Sequence, residues 1–170
     1  MLVGKDQGMT REVVRVQPRA EIAVPVEVAA PAEVVWRVAT DWVQQGEWML
    51  ATQVELTGGD GRSAGSSWRA TTGVGPLGVV DSMEIVSYVE GGPWRCVVRH
   101  TGRVVRGEGV FEVEALGPAR SRFVMTERLD LPLGAAGRAG WPLLRPAVRA
   151  GLALSLRRLA RLCEAVHRYG

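Results

Sequence analysis

A chain of 170 residues that is 46% hydrophobic and 23% charged has enough apolar material to fill one core, which excludes a disordered chain. Cys96 and Cys163 lie far apart in no metal-like spacing and read as small buried hydrophobes in a reducing compartment; the two histidines cannot form an all-histidine metal site. The charge of +3 and pI near 9.4 are mildly basic, no stretch is apolar for long enough to span a bilayer, and Met1 to Arg19 contains no apolar run of signal-peptide type, so a cytoplasmic location is expected.

Residues 1–19 show no period and are expected to form a flexible lead-in to a single domain over residues 20–170. In Glu21–Val28, Ile22, Val24, Val26 and Val28 alternate with Ala23, Pro25 and Glu27, the period of a half-buried strand; Pro25 cannot donate to a ladder and points to an edge or bulge. Pro31 and Glu33 suit a first helical turn, and Val34, Val35 and Val38 form a helical stripe. A second short helix is expected over Trp42 to Trp48. Strands follow at Thr52–Leu56, Ser66–Thr72, Ser82–Val89, Trp94–Thr101, Gly107–Glu114 and Arg120–Leu131, separated by Gly- and Pro-rich turns such as Gly91-Gly92-Pro93 and Gly117-Pro118. The last segment changes period: Leu144, Val148, Leu152, Ser155/Leu156, Leu159, Leu162/Cys163 and Val166 recur at three- and four-residue steps, which predicts a long amphipathic helix with Pro142 near its start and Pro146 and Gly151 as sites of a kink or delay.

The order is strand, two short helices, about six strands, long helix. A curved antiparallel sheet cannot fill its own concave face, and the final helix is the one segment able to lie across it, so the class is α+β with a sheet of about six to seven strands wrapped around the C-terminal helix. Any gap between helix and sheet becomes a cavity.

The run Val26-Glu27-Val28-Ala29-Ala30-Pro31-Ala32-Glu33-Val34-Val35-Trp36, then Thr40-Asp41-Trp42 and Glu47-Trp48, and the final helix together resemble the SRPBCC superfamily: START-like proteins, polyketide cyclase/dehydrase-like proteins and the birch-pollen-allergen group. The resemblance spans roughly Glu21 to His167 and implies a helix-grip fold. It does not imply one function, because members include carriers, hydrolases, cyclases and ligand sensors.

Gly73-Val74-Gly75-Pro76-Leu77-Gly78 matches GxGxxG literally, but a strand pattern follows instead of a helix and Pro76 removes an amide from the phosphate cradle, so it reads as a strand-to-strand loop. Val74 and Leu77 are expected at a cavity mouth, with Leu131 to Gly134 as a second lip. Alternation puts Trp94, Cys96, Val98 and His100 on one face of their strand, and Phe123, Met125, Glu127, Leu129 and Leu131 on one face of another. His100 and Glu127 are thereby ionisable groups on inward faces, where an unpaired charge is costly; they are the candidate polar contacts or proton-transfer pair. Whether Trp68 or Arg69 faces inward stays open. Aromatic polyketide cyclases of the superfamily use an inward arginine, a role Arg69 imitates only if the alternation puts it inside. No GxSxG elbow, HExxH or Cys–His spacing is present, and neither metal nor cofactor is implied.

The expected ligand-contacting set is Val24, Val26, Trp68, Met83, Ile85, Trp94, Val98, His100, Phe111, Phe123, Met125, Glu127, Leu152 and Leu156. The expected function is binding of a lipid- or polyketide-like hydrophobic molecule as carrier or sensor. The alternatives are a cyclase or dehydrase using His100 or Glu127, and an interaction module docking through Val74 and Leu77. The C-terminal arginines, Arg138, Arg145, Arg149, Arg157, Arg158, Arg161 and Arg168 against Glu164 alone, read as a solvated face or a transient membrane-surface contact. They lack the interleaved aromatics of a nucleic-acid site, and no nucleic-acid partner is expected.

Overall fold

The computed structural model describes residues 20–73, 78–131 and 134–170. Its elements are β1 (Ala20–Val28), α1 (Ala32–Ala39), a 3-10 helix (Val43–Glu47), β2 (Thr52–Gly58), β3 (Ser67–Thr72), β4 (Val79–Val89), β5 (Trp94–His100), β6 (Gly107–Gly117), β7 (Arg120–Leu129) and α2 (Gly134–Tyr169). The seven strands form one antiparallel sheet in the order β1-β7-β6-β5-β4-β3-β2. From β2 to β7 consecutive strands pair with each other, while β1 pairs with β7 and takes an edge among the described strands, where Pro25 costs no interior ladder bond. The second short helix exists as the 3-10 helix.

Strand alternation sets the two faces. Ile22, Val24 and Val28 of β1, Trp68 and Ala70 of β3, Cys96 and Val98 of β5, and Phe123 and Met125 of β7 are buried on the concave side. Trp68 is therefore the inward residue of its strand and Arg69 is exposed, so Arg69 does not take the place of a cyclase-like inward arginine. A register shift between Ile85 and Ser87 changes the alternation of β4, so that both Asp81-Met83-Ile85 and Tyr88 turn toward the concave side. The convex face carries cross-strand ion pairs, Arg122 with Glu27 and Glu114, Arg128 with Glu21, and Arg95 with Glu112. All are solvent-exposed and worth about 0–1 kcal/mol each, so they favour this register more than they stabilise the fold.

The core lies between sheet and helices. Trp42 stacks on Trp68 with ring centroids 4.2 Å apart, meets Phe111 edge-on, and donates its indole N–H to the carbonyl of Gly61 at 2.6 Å. Trp36 and Trp48 are core residues. From α2, Leu156, Leu159 and Cys163 are buried against the sheet, whereas Leu144 and Val148 of the same stripe are exposed. The helix begins at Gly134, earlier than the prolines predict, and runs through Pro142 and Pro146. Each proline removes one helical hydrogen bond, to the carbonyls of Arg138 and Pro142, but these lie on exposed turns where water replaces the lost donor. The seven arginines of α2 are all exposed, and Arg149 reaches back to the carbonyl of Ala23 at 3.0 Å.

Candidate functional site

Thr52 opens β2, Thr72 closes β3, Asp81 stands near the start of β4, His100 closes β5, and Glu127 and Leu129 close β7. Antiparallel pairing brings these positions to one end of the sheet: Thr52 faces Thr72, Met83 faces His100, and His100 faces Gly107, which in turn faces Leu129. At this end the concave surface is not filled by α2. A cavity of about 380 Å³ remains, walled by the sheet, by Gln45, Met49 and Leu50 at the 3-10 helix, and by Val148, Gly151, Leu152 and Ser155 of α2. Ser155 holds the lid of this wall in place by accepting the Leu50 amide at 3.1 Å. A second apolar hollow of about 420 Å³ shares Val105 and Leu129 with the cavity and continues beneath Trp141 and Leu144.

The wall of the first cavity is mostly apolar, with the neutral polar groups Gln45, Thr52, Thr72 and Ser155 and one ionisable cluster. His100 Nδ1 lies 2.6 Å from Asp81 Oδ2, and His100 Nε2 lies 3.0 Å from Glu127 Oε2, with all three side chains largely buried. Glu127 is two strands away from His100, with β6 between them. It reaches across because the intervening inward positions are Gly107 and Gly109. A Cβ at Gly109 would stand 2.8 Å from Val98 Cγ2 and 3.4 Å from Glu127 Oε1, so a side chain there would displace the carboxylate. Gly107, at φ +132°, adopts a backbone conformation that side-chain-bearing residues rarely take.

Burial opposes charge on the imidazole, but the hydrogen bonds to Asp81 and Glu127 and the two negative charges outweigh it and raise the His100 pKa from 6.5 to about 10. The ring is thus an imidazolium clamped between two carboxylates at neutral pH. The other oxygen of Asp81, Oδ1, is buried and has no hydrogen-bond partner among the described residues. Burial pushes both thiols, Cys96 and Cys163, up to about 12, so they are inert packing groups. Among the described residues no cluster of His, Cys, Asp and Glu fits a metal ion. No helix among them is long and apolar enough to cross a membrane.

Of the residues that sequence alternation assigns to ligand contact, Met83, Val98, His100, Phe111, Met125, Glu127 and Leu152 border this cavity. Seven others lie elsewhere. Val24, Ile85, Phe123 and Leu156 are fully packed in the core, Val26 is half-buried against it, and Trp68 is covered by Trp42. Trp94 sits at the far end of the sheet, beside Trp36 and a polar hollow bordered by Glu33, Arg37 and Tyr88. The reason is that the second half of α2, through Leu156, Leu159 and Cys163, packs against the core, and the space beneath the helix opens where the strands end at His100 and Glu127. Asp81, Gln45, Thr52 and Ser155 border the cavity without having been expected there, and Thr72 borders it because Trp68, Ala70 and Thr72 form the inward face of β3. Asp81 has a signal in the sequence: it stands two and four residues before the inward Met83 and Ile85. Val74 and Leu77, expected at the mouth, and Pro132 and Leu133 of the second lip lie outside the described residues.

The profile of the family described as "Polyketide cyclase / dehydrase and lipid transport" matches residues 19–164. No curated protein sequence matches the chain. Solved structures share the fold at low identity. The Zhui aromatase/cyclase of Streptomyces sp. R1128 aligns with a TM-score of 0.70 at 18% identity, over 85% of this chain and 93% of its own. A START superfamily protein of Mycobacterium smegmatis aligns at 0.60 and 18%, over 87% and 97%. Norcoclaurine synthase of Thalictrum flavum, in complex with dopamine and hydroxybenzaldehyde, aligns at 0.63 and 16%, over 100% and 98%.

Proposed function

We propose that this chain, which belongs to the polyketide cyclase/dehydrase and lipid-transport family, binds a hydrophobic small molecule in the cavity at the His100 end of the sheet, as a carrier or sensor. The observation that carries this reading is a cavity of about 380 Å³ with one buried ionisable cluster in a mostly apolar wall. That is the size and chemistry of a small-molecule site: apolar surface supplies affinity and a few polar groups fix orientation. A ligand burying roughly 200 Å² of apolar surface there gains about 5 kcal/mol. Glu127 would contact its polar end, held in place by His100 and, behind the ring, Asp81.

A second reading is proton transfer in a cyclisation or dehydration, favoured by the two carboxylates flanking one imidazole. General acid–base catalysis is most effective when the catalytic pKa lies near the working pH. An imidazolium clamped up to about 10 is far from that range, so the unliganded cluster suits recognition better than turnover. The enzyme reading requires the substrate to take the place of one carboxylate at the ring.

Mass spectrometry of the gently purified protein, native and then denatured, tests the first reading. A stoichiometric extra mass that leaves on denaturation supports the carrier and gives the ligand's formula. An empty protein that converts a poly-β-ketone probe to a cyclised or dehydrated product moves the assignment to the enzyme. Unchanged ligand affinity in the double variant His100→Ala, Glu127→Gln would remove the cluster from either role.

A further inference from the structure

Both contacts of His100 are hydrogen bonds, and each requires a proton between ring nitrogen and carboxylate oxygen. Two protons shared among one imidazole and two carboxyl groups leave the same net charge wherever they sit. An imidazolium with two carboxylates and a neutral imidazole with one carboxylic acid and one carboxylate both sum to −1. The described lining of the cavity includes no Lys or Arg to offset that charge. Its remaining polar groups, Gln45, Thr52, Thr72 and Ser155, are neutral, and the two threonine hydroxyls already pair with each other at 2.9 Å.

The cluster also has a direction. Both ring nitrogens are occupied, so His100 has no donor left for a ligand. What remains toward the cavity is an acceptor, Glu127 Oε1, since that side chain engages the ring through Oε2; Asp81 Oδ1 is covered and without a partner among the described residues, so Asp81 adds charge behind the ring and no contact. A buried acceptor without a donor is unfavourable, and a buried negative charge repels an anion more strongly than it would in water. We infer that the cavity selects ligands whose polar end is a hydrogen-bond donor, cationic amines above neutral alcohols, and rejects carboxylates and phosphates. This inference rests on the ligand-binding reading above. It narrows that reading: free fatty acids and anionic lipid headgroups at the cluster are disfavoured, and amine- or hydroxyl-bearing aromatic or polycyclic molecules are favoured.

The test uses three probes with one apolar body, 2-naphthylmethylamine, 2-naphthalenemethanol and 2-naphthoate, titrated calorimetrically into the full-length protein at pH 7. Shifts of the Met83 and Met125 methyl resonances report whether a probe occupies the cavity. The expected order is amine, alcohol, carboxylate, with the carboxylate at least tenfold weaker than the amine. Asp81→Asn and Glu127→Gln, which keep shape and hydrogen bonding while removing charge, should narrow that gap. The wild-type ranking stands alone if either variant fails to fold. Naphthoate binding as tightly as the amine, with the same methyl shifts, overturns the charge selection and leaves the cavity reading intact. Absence of binding or methyl shifts for all three probes up to millimolar concentration overturns both.

Discussion

The clamp on His100 makes stability depend on pH in a defined window. The ring's pKa rises from 6.5 in the unfolded chain to about 10 in the fold. Between those values the native state holds a proton that the unfolded state has lost, so stability falls as pH rises. The contribution is fully present below 6.5 and lost as pH passes 10. At 1.36 kcal/mol per pH unit the interval amounts to at most about 5 kcal/mol. Little of it is screened, because the ring is only 6% exposed. The charged groups facing the ring are Asp81 from β4 and Glu127 from β7; the facing parts of α2 and the 3-10 helix contribute Val148, Gly151, Leu152, Ser155 and Gln45. Urea unfolding of the wild type and of His100→Gln from pH 6 to 10.5 isolates the effect. The wild type should be more stable by several kcal/mol near neutrality, with the difference shrinking toward pH 10. Imidazole ¹⁵N shifts should show both ring nitrogens still protonated at pH 8. A stability gap that stays flat across the window, or a ring that loses its proton below pH 7.5, refutes the clamp.

Three further outcomes follow from the packing. Gly109→Ala places a methyl against Val98 and Glu127, costing about 1–3 kcal/mol and lowering the His100 titration as the carboxylate is pushed away; imidazole NMR reads the second effect directly. Gly151→Ala adds a methyl that meets nothing within 4 Å inside a helix, and should stabilise by about 1 kcal/mol, seen as a Tm rise of roughly 2–4 °C. Trp42→Phe keeps an aromatic on Trp68 but leaves the buried Gly61 carbonyl without its donor, which should cost about 1–3 kcal/mol in urea unfolding.

Alternation along a strand reveals which face a residue occupies, and on β5 and β7 it places His100 and Glu127 inward, as the structure does. It carries no information about depth. Phe111 and Phe123 are indistinguishable by period, yet one borders the cavity and the other is sealed in the core, because that difference depends on where α2 presses. Asp81 shares the inward period of Met83 and Ile85, but the Gly- and Pro-rich run before it reads as loop and aspartate is a poor strand former, so its place on the strand that begins at Val79 is obscured locally. The start of α2 is obscured likewise by two prolines that normally end helices. The role of Gly107 and Gly109 is legible only in three dimensions, since a glycine that lets a carboxylate pass looks in sequence like any weak point in a strand.

The pairing of β1 with β7 bears on how the chain is made. Val24 lies opposite Met125, so β1 leaves the ribosome long before its neighbour among the described strands exists. At synthesis rates of roughly 5–20 residues per second, that interval is about 5–20 s. The hairpins from β2 to β6 can form meanwhile, but β1 waits with its backbone unpaired, and such long-range closure slows folding. Glu127 travels on the same late strand. His100 and Asp81 are thus both synthesised before the second carboxylate, and in the finished sheet the cluster is complete only with β7 seated between β6 and β1.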